Sequence, residues 1–201
     1  MLDRHAITLI KPAVDAIAKR LAALGVGANQ ITLLAFAFGL AAALLIATGQ
    51  YAAAAALILA SRLCDALDGA VARQTQATDA GGFLDITLDF LFYASIPLAF
   101  AIASPKENAL PAAFLLAAFM GTAASFLAYA ALAAKRNLAS IEYPDKSFYF
   151  LGGLTEATET LAVFIAMCIW PRYFGVLAYG FAALCCMTIY MRVYEGWRSL
   201  R

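Results

Sequence analysis

Six apolar runs, each close to the length that crosses a bilayer, dominate this chain of 201 residues. A helix rises about 1.5 Å per residue and the hydrocarbon core is about 30 Å thick, so about 20 apolar residues make one span. The runs fall at residues 31–48, 52–72, 83–103, 109–134, 152–170 and 173–191. Breaks at 49–50, 73–82, 104–108, 135–147 and 171–172 separate them. Hydrophobic residues make up 64% of the chain and charged residues 13%, against roughly 45–50% and 25% in ordinary globular chains. With a mean hydropathy of +0.81, there are too few charges to solvate a water-exposed surface. That excludes a soluble globular enzyme and a disordered tail. A net charge of +1 provides no field that would gather a polyanion, so no nucleic-acid partner is expected. The expected fold is all-α, an integral membrane bundle of six transmembrane helices within residues 31–191. One membrane domain covers residues 1–201.

The segment ahead of the bundle, residues 2–24, reads differently. Ile7, Ile10, Val14, Ile17, Leu21 and Leu24 recur at three- and four-residue intervals, with Arg4, Lys11, Asp15, Lys19 and Arg20 between them. This is the pattern of an amphipathic helix lying in the membrane interface, with Pro12 as a candidate kink. It has neither the continuous apolar centre nor the cleavage site of a signal peptide. Six spans put both termini on one side. Eleven basic residues fall on that face, among them Arg73, Lys135, Arg136, Lys146, Arg192, Arg198 and Arg201, against Lys106 and Arg172 on the other. The positive-inside rule makes the richer face cytoplasmic, as in a multi-pass protein of a bacterial-type inner membrane. The alanine runs let helices approach closely.

Carboxylates inside apolar helices are costly and mark functional sites by default. The second span carries Arg62, Asp65 and Asp68, the third carries Asp85 and Asp89, and the fifth begins with Glu156 and Glu159. The alternation of spans brings all of these to the cytoplasmic side, as one polar cavity open to the cytoplasm would require. Asp65 and Asp68 are three residues apart and Asp85 and Asp89 four, so each pair shares a helix face. Four carboxylates gathered between two helices repel one another unless divalent cations lie between them. His5 is the only histidine, and Cys64, Cys168, Cys185 and Cys186 lie in apolar stretches without metal-ligand spacing. An oxygen-only ligand set favours Mg²⁺, Mn²⁺ or Ca²⁺. Two such ions bridged by carboxylates suit displacement at phosphorus. Gly69, directly after Asp68, leaves room for a ligand near the backbone or for close helix packing. Arg73 offers a fork that fits phosphate oxygens.

These residues resemble the CDP-alcohol phosphotransferase family, whose signature is D-x2-D-G-x2-A-R-x8-G-x3-D-x3-D. Here it is carried by Asp65, Asp68, Gly69, Ala72, Arg73, Gly81, Asp85 and Asp89, with the interval between Arg73 and Gly81 one residue short. Taking Gly82 instead restores that interval and shortens the next. Gly81 keeps the glycine in helical register with both aspartates. The six-span layout and the amphipathic N-terminal helix extend the likeness along most of the chain. The resemblance implies transfer of a phosphoalcohol from a CDP-linked donor, usually CDP-diacylglycerol, to an acceptor hydroxyl with release of CMP. It implies two divalent cations, Mg²⁺ or Mn²⁺, on Asp65, Asp68, Asp85 and Asp89, with Asp89 also the general base. It places Gly69, Ala72, Arg73 and Gly81 along the CDP moiety, and it implies a homodimer. Asn29 and Thr32 resemble a family segment near the nucleotide, and Asn29 is equally read as a helix cap.

The acceptor, a small alcohol or phosphoalcohol, is left open. Lys135 and Arg136 match the place where members with phosphorylated acceptors carry basic residues, or they anchor the topology. Glu156 and Glu159 would bind a polyol or an amine-bearing acceptor, or pair with Arg136 or another cation. Members with anionic acceptors tend to carry arginine there, so these glutamates argue against copying that specificity. Glycerol phosphate, inositol compounds, serine and amino alcohols all remain. Two other classes fit some of the features: a divalent-cation transporter and a catalytically silent membrane scaffold. Neither explains Arg73 at its spacing together with four buried carboxylates.

Overall fold

The computed structural model describes residues 2–136 and 154–201, with side chains described from Lys11 onward. Lys146, most of the 135–147 break and the start of the fifth run at Gly152 lie outside the described residues. Among the described residues seven α-helices follow one another: α1 (Leu2–Ala23), α2 (Ala28–Ala47), α3 (Tyr51–Gln74), α4 (Asp79–Ala103), α5 (Pro105–Lys135), α6 (Ala157–Ile169) and α7 (Phe174–Ser199). A 3-10 turn at Pro171–Tyr173 leads into α7. No strand occurs among the described residues.

Among the described residues four helical stretches are long and apolar enough to cross a membrane: α2, α4, α5, and α7 with its preceding turn. The other two runs fall short for different reasons. α3 has the length but carries Arg62, Asp65, Asp68 and Arg73 within its 24 residues. α6 is apolar but its 13 described residues give only about two thirds of a span. Helix ends also reach beyond the hydropathic runs. α4 starts at Asp79 because Thr78 caps it, accepting from the Gly81 amide at 3.1 Å. α5 starts at Pro105, whose fixed φ suits the first helical position. α1 runs unbroken through Pro12.

Short turns make antiparallel neighbours of α2 and α3, α3 and α4, and α4 and α5. After α2 the chain reverses through Gly49, whose φ of 79° is open to glycine, and the Gln50 amide returns to the Leu45 carbonyl at 2.8 Å. α2 packs against α3 and α4, α4 against α5, and α5 against α7. The main core joins α2 to α7, with Phe92, Phe100, Phe164 and Phe174 fully buried and Phe100 stacked on Phe174 at 4.6 Å. A smaller core seats α1 on the bundle, where Val14 and Ala18 meet Ile31, Ala70 and Val71. This contact sets α1 across the ends of α2 and α3 that carry the polar residues.

Exposed aromatics mark both ends of α7. Trp170 and Tyr173 stand at its start, Tyr194 and Trp197 near its end. From residue 173 to residue 197 the rise is about 36 Å, matching a hydrocarbon core with an interfacial ring on each side.

Candidate active site in the membrane bundle

α3 and α4 form a hairpin joined by residues 75–78, and the site lies in the half of the hairpin nearest that turn. Asp65 and Asp68 project from the last turns of α3, and Asp85 from the second turn of α4. These three offer carboxylate oxygens that all lie within 4.8 Å of one another. Asp68 is 5% exposed, and its Oδ2 is buried with no hydrogen-bond partner among the described residues. A buried carboxylate oxygen without a donor is strongly unfavourable unless a cation meets it. The donor set, all carboxylate oxygen, fits a hard divalent ion.

Asp89, one turn along α4 from Asp85, takes a different partner. Its Oδ1 accepts from the Arg62 guanidinium, and the same Nη1 stands 3.4 Å from Asp65 Oδ1. Arg62 lies over the Phe92 ring at 4.0 Å, and its Nη2 donates to Ser61 Oγ at 3.2 Å. Ser61 in turn donates to the Ala35 carbonyl at 2.7 Å, which ties the arrangement to α2. Phe92 can lie there because α2 has Gly39 beneath it. A Cβ at Gly39 would come 2.5 Å from the ring.

The residues assigned to the nucleotide side gather around the same end. Thr32 on α2 stands beside Asp68 and donates to the Ala28 carbonyl at 3.1 Å. Asn29 is not the cap of α2. Gly27 holds that position, its amide donating to Gln30 Oε1 at 3.2 Å. Asn29 instead lies against α4, where a Cβ on Gly81 would meet Asn29 Oδ1 at 2.9 Å. Gly81 therefore permits a close approach of the two helices. Gly69 has room above it, with Arg73 Nη1 at 3.5 Å from where a Cβ would sit. Arg73 is exposed at the end of α3, and Ala72 is half-buried beside it.

Asp89 also borders a cavity of about 230 Å³ between α4, α5, α6 and α7. Its polar lining comes from Thr122, Thr155, Glu156, Thr160 and Arg192, and Tyr93 closes one side. Arg192 is 8% exposed, donates to the Thr122 carbonyl at 3.1 Å and interacts electrostatically with Glu156. Of the four residues considered for the acceptor, Glu156 lines this cavity. Glu159, at the third position of α6, reaches back to accept from the amide of the N-cap residue Glu156 at 3.2 Å. Lys135 and Arg136 are exposed at the end of α5, where Arg136 donates to the Leu200 carbonyl and joins the ends of α5 and α7. The sequence alone marks Arg192 only as one of the basic residues on the cytoplasmic face. Its signal was its place four and seven residues after Thr188 and Cys185, on the buried face of α7.

The fold and this constellation define a membrane transferase. The profile of the CDP-alcohol phosphatidyltransferases matches residues 26–190, and the chain belongs to that family. It is 50% identical over 201 residues to the inner membrane protein YnjF of Escherichia coli, covering all of this chain and 98% of that one. It is 30% identical over 192 residues to an archaetidylinositol phosphate synthase of Pyrococcus horikoshii, covering 95% and 94%. Among solved structures, it superposes on the Mycobacterium tuberculosis phosphatidylinositol phosphate synthase PgsA1 with CDP-DAG bound. That match has a TM-score of 0.67 at 22% identity and covers 92% of this chain and 93% of that one. The same enzyme in complex with manganese and citrate matches with the same TM-score.

Proposed function

We propose that the chain transfers a phosphatidyl group from CDP-diacylglycerol, or a closely similar CDP-linked lipid, to the hydroxyl of a small acceptor and releases CMP. The observation that carries this reading is the convergence of Asp65, Asp68 and Asp85 beside Asp89, at the point where Asp89 opens onto a separate polar cavity. Asp65, Asp68, Asp85 and Asp89 hold two divalent cations, Mg²⁺ or Mn²⁺. When bound, these ions supply Lewis-acid polarisation of the donor phosphate and neutralise the charge on the departing CMP. Arg73, Gly69, Ala72, Gly81, Asn29 and Thr32 cradle the cytidine diphosphate on the side of the cluster facing α2. The acceptor enters the cavity lined by Glu156 and Arg192, and Asp89 takes the proton from its hydroxyl as that oxygen attacks phosphorus.

In this reading α1 lies in the cytoplasmic interface, and α2 to α7 cross the bilayer as six spans. The termini and the site face the cytoplasm of a bacterial-type inner membrane, and the protein works as a homodimer. The donor's acyl chains then stay among the helices while its head group reaches the aspartates. The test is release of CMP from CDP-diacylglycerol by the purified protein, run against a panel of acceptors. Activity should disappear with a chelator, return with Mg²⁺ or Mn²⁺, and fall about 10²-fold or more in Asp89→Asn. Cation flux into liposomes without CMP release would favour a transporter instead.

A further inference from the structure

The carboxylate cluster already contains a cation of its own. The Arg62 guanidinium sits between Asp65 and Asp89, ion-paired to both, at the end of the cluster nearest the acceptor cavity. We propose that Arg62 is a built-in occupant of the Asp89 position, so that the chain takes up its divalent cations in order. The first binds Asp65, Asp68 and Asp85, and the second binds only once the guanidinium has released Asp89. This rests on the two-cation reading given above.

Three features separate the two steps. Asp65, Asp68 and Asp85 already converge within 4.8 Å, the Asp68 Oδ2 has no hydrogen-bond partner among the described residues, and on the Arg62 side a first ion meets only the looser 3.4 Å pair with Asp65 Oδ1. At Asp89 the ligand oxygen is occupied by a charge-assisted hydrogen bond from Arg62, which a second ion must break. The guanidinium also cannot swing freely aside. Its side chain is 12% exposed, it is stacked on Phe92 at 4.0 Å, and its Nη2 is held by Ser61. An ion arriving at Asp89 therefore meets both a bond to break and a like charge held nearby. The first site meets the same guanidinium only through the longer 3.4 Å contact at Asp65 Oδ1. Arg62 thereby acts as a positioning residue, holding Asp89 in place and apart from the first ion until the site is filled.

The experiment is a titration of the full chain, purified in mild detergent and stripped of metal, with Mn²⁺ as the probe. The free ion is followed by its paramagnetic resonance signal. Wild type should bind in two steps, the second at least about tenfold weaker. Arg62→Gln should strengthen the second step by about tenfold and the first by less than about threefold. Asp89→Asn, which leaves Arg62 in place, should abolish the second step and preserve the first. This arm stays informative if Arg62→Gln does not fold. Two equal steps in wild type would overturn the ordering alone. So would an Arg62→Gln variant in which both steps shift equally or neither shifts. No Mn²⁺ uptake at all would remove the two-cation reading together with this proposal.

Discussion

Arg192 and Glu156 bring opposite charges to the cavity beside Asp89, and three threonines complete its polar lining. An acceptor bound there has both a donor fork and a carboxylate to meet, a pairing suited to hydroxyls or to a molecule carrying both signs of charge. Arg192→Gln removes a charged donor from a mostly buried position, a loss worth about 1.5–3 kcal/mol, or about 10- to 100-fold in acceptor KM. Steady-state kinetics with each substrate varied in turn will check it, and the KM for the CDP-lipid should stay within about twofold. A shift confined to the donor would place the cavity on the other side of the reaction. The aspartate pairs were readable from spacing alone because three- and four-residue intervals share a face in any helix. Arg62 and Arg192 were visible as charges, but their partners were not. Those depend on how α3 meets α4 and α7 meets α5, and helix register is set by packing across the bundle.

At the scale of the helices, Gly39 is the position where one missing side chain supports the whole arrangement. It admits Phe92, Phe92 carries Arg62, and Arg62 holds Asp89. Gly39→Val would drive a branched side chain into a fully buried ring and should destabilise the protein by about 1–3 kcal/mol. Thermal unfolding in detergent should show a lower Tm, and the variant should lose CMP release even below that temperature. A Tm equal to wild type would mean that α2 and α4 have slack between them. Nothing in the sequence around Gly39 marks it off from the alanine-rich packing of its neighbours, so its role was not legible. The run centres were legible, whereas the N-terminal ends of α4 and α5 were not, because the Thr78 cap and Pro105 at the first helical position start these helices earlier than hydropathy indicates.

For the molecule as a whole, the proposed orientation rests on the split of basic residues. In a background without the four native cysteines, Lys106→Cys should react in intact cells with a membrane-impermeant maleimide. Arg198→Cys should react only after the inner membrane is opened. The opposite pattern would invert the assignment. The exposed apolar surface, from Leu44 on α2 to Val176 and Tyr190 on α7, is extensive, as a chain solvated by lipid requires.

The turn at residues 75–78 that joins α3 to α4 has a consequence for biogenesis. In the proposed orientation both acid-bearing helices enter the bilayer as one hairpin, with all four aspartates towards its closed, cytosolic end. None of those carboxylates would then have to be dragged through the hydrocarbon during insertion. The most polar part of the protein can therefore be assembled from the side on which the ribosome delivers it.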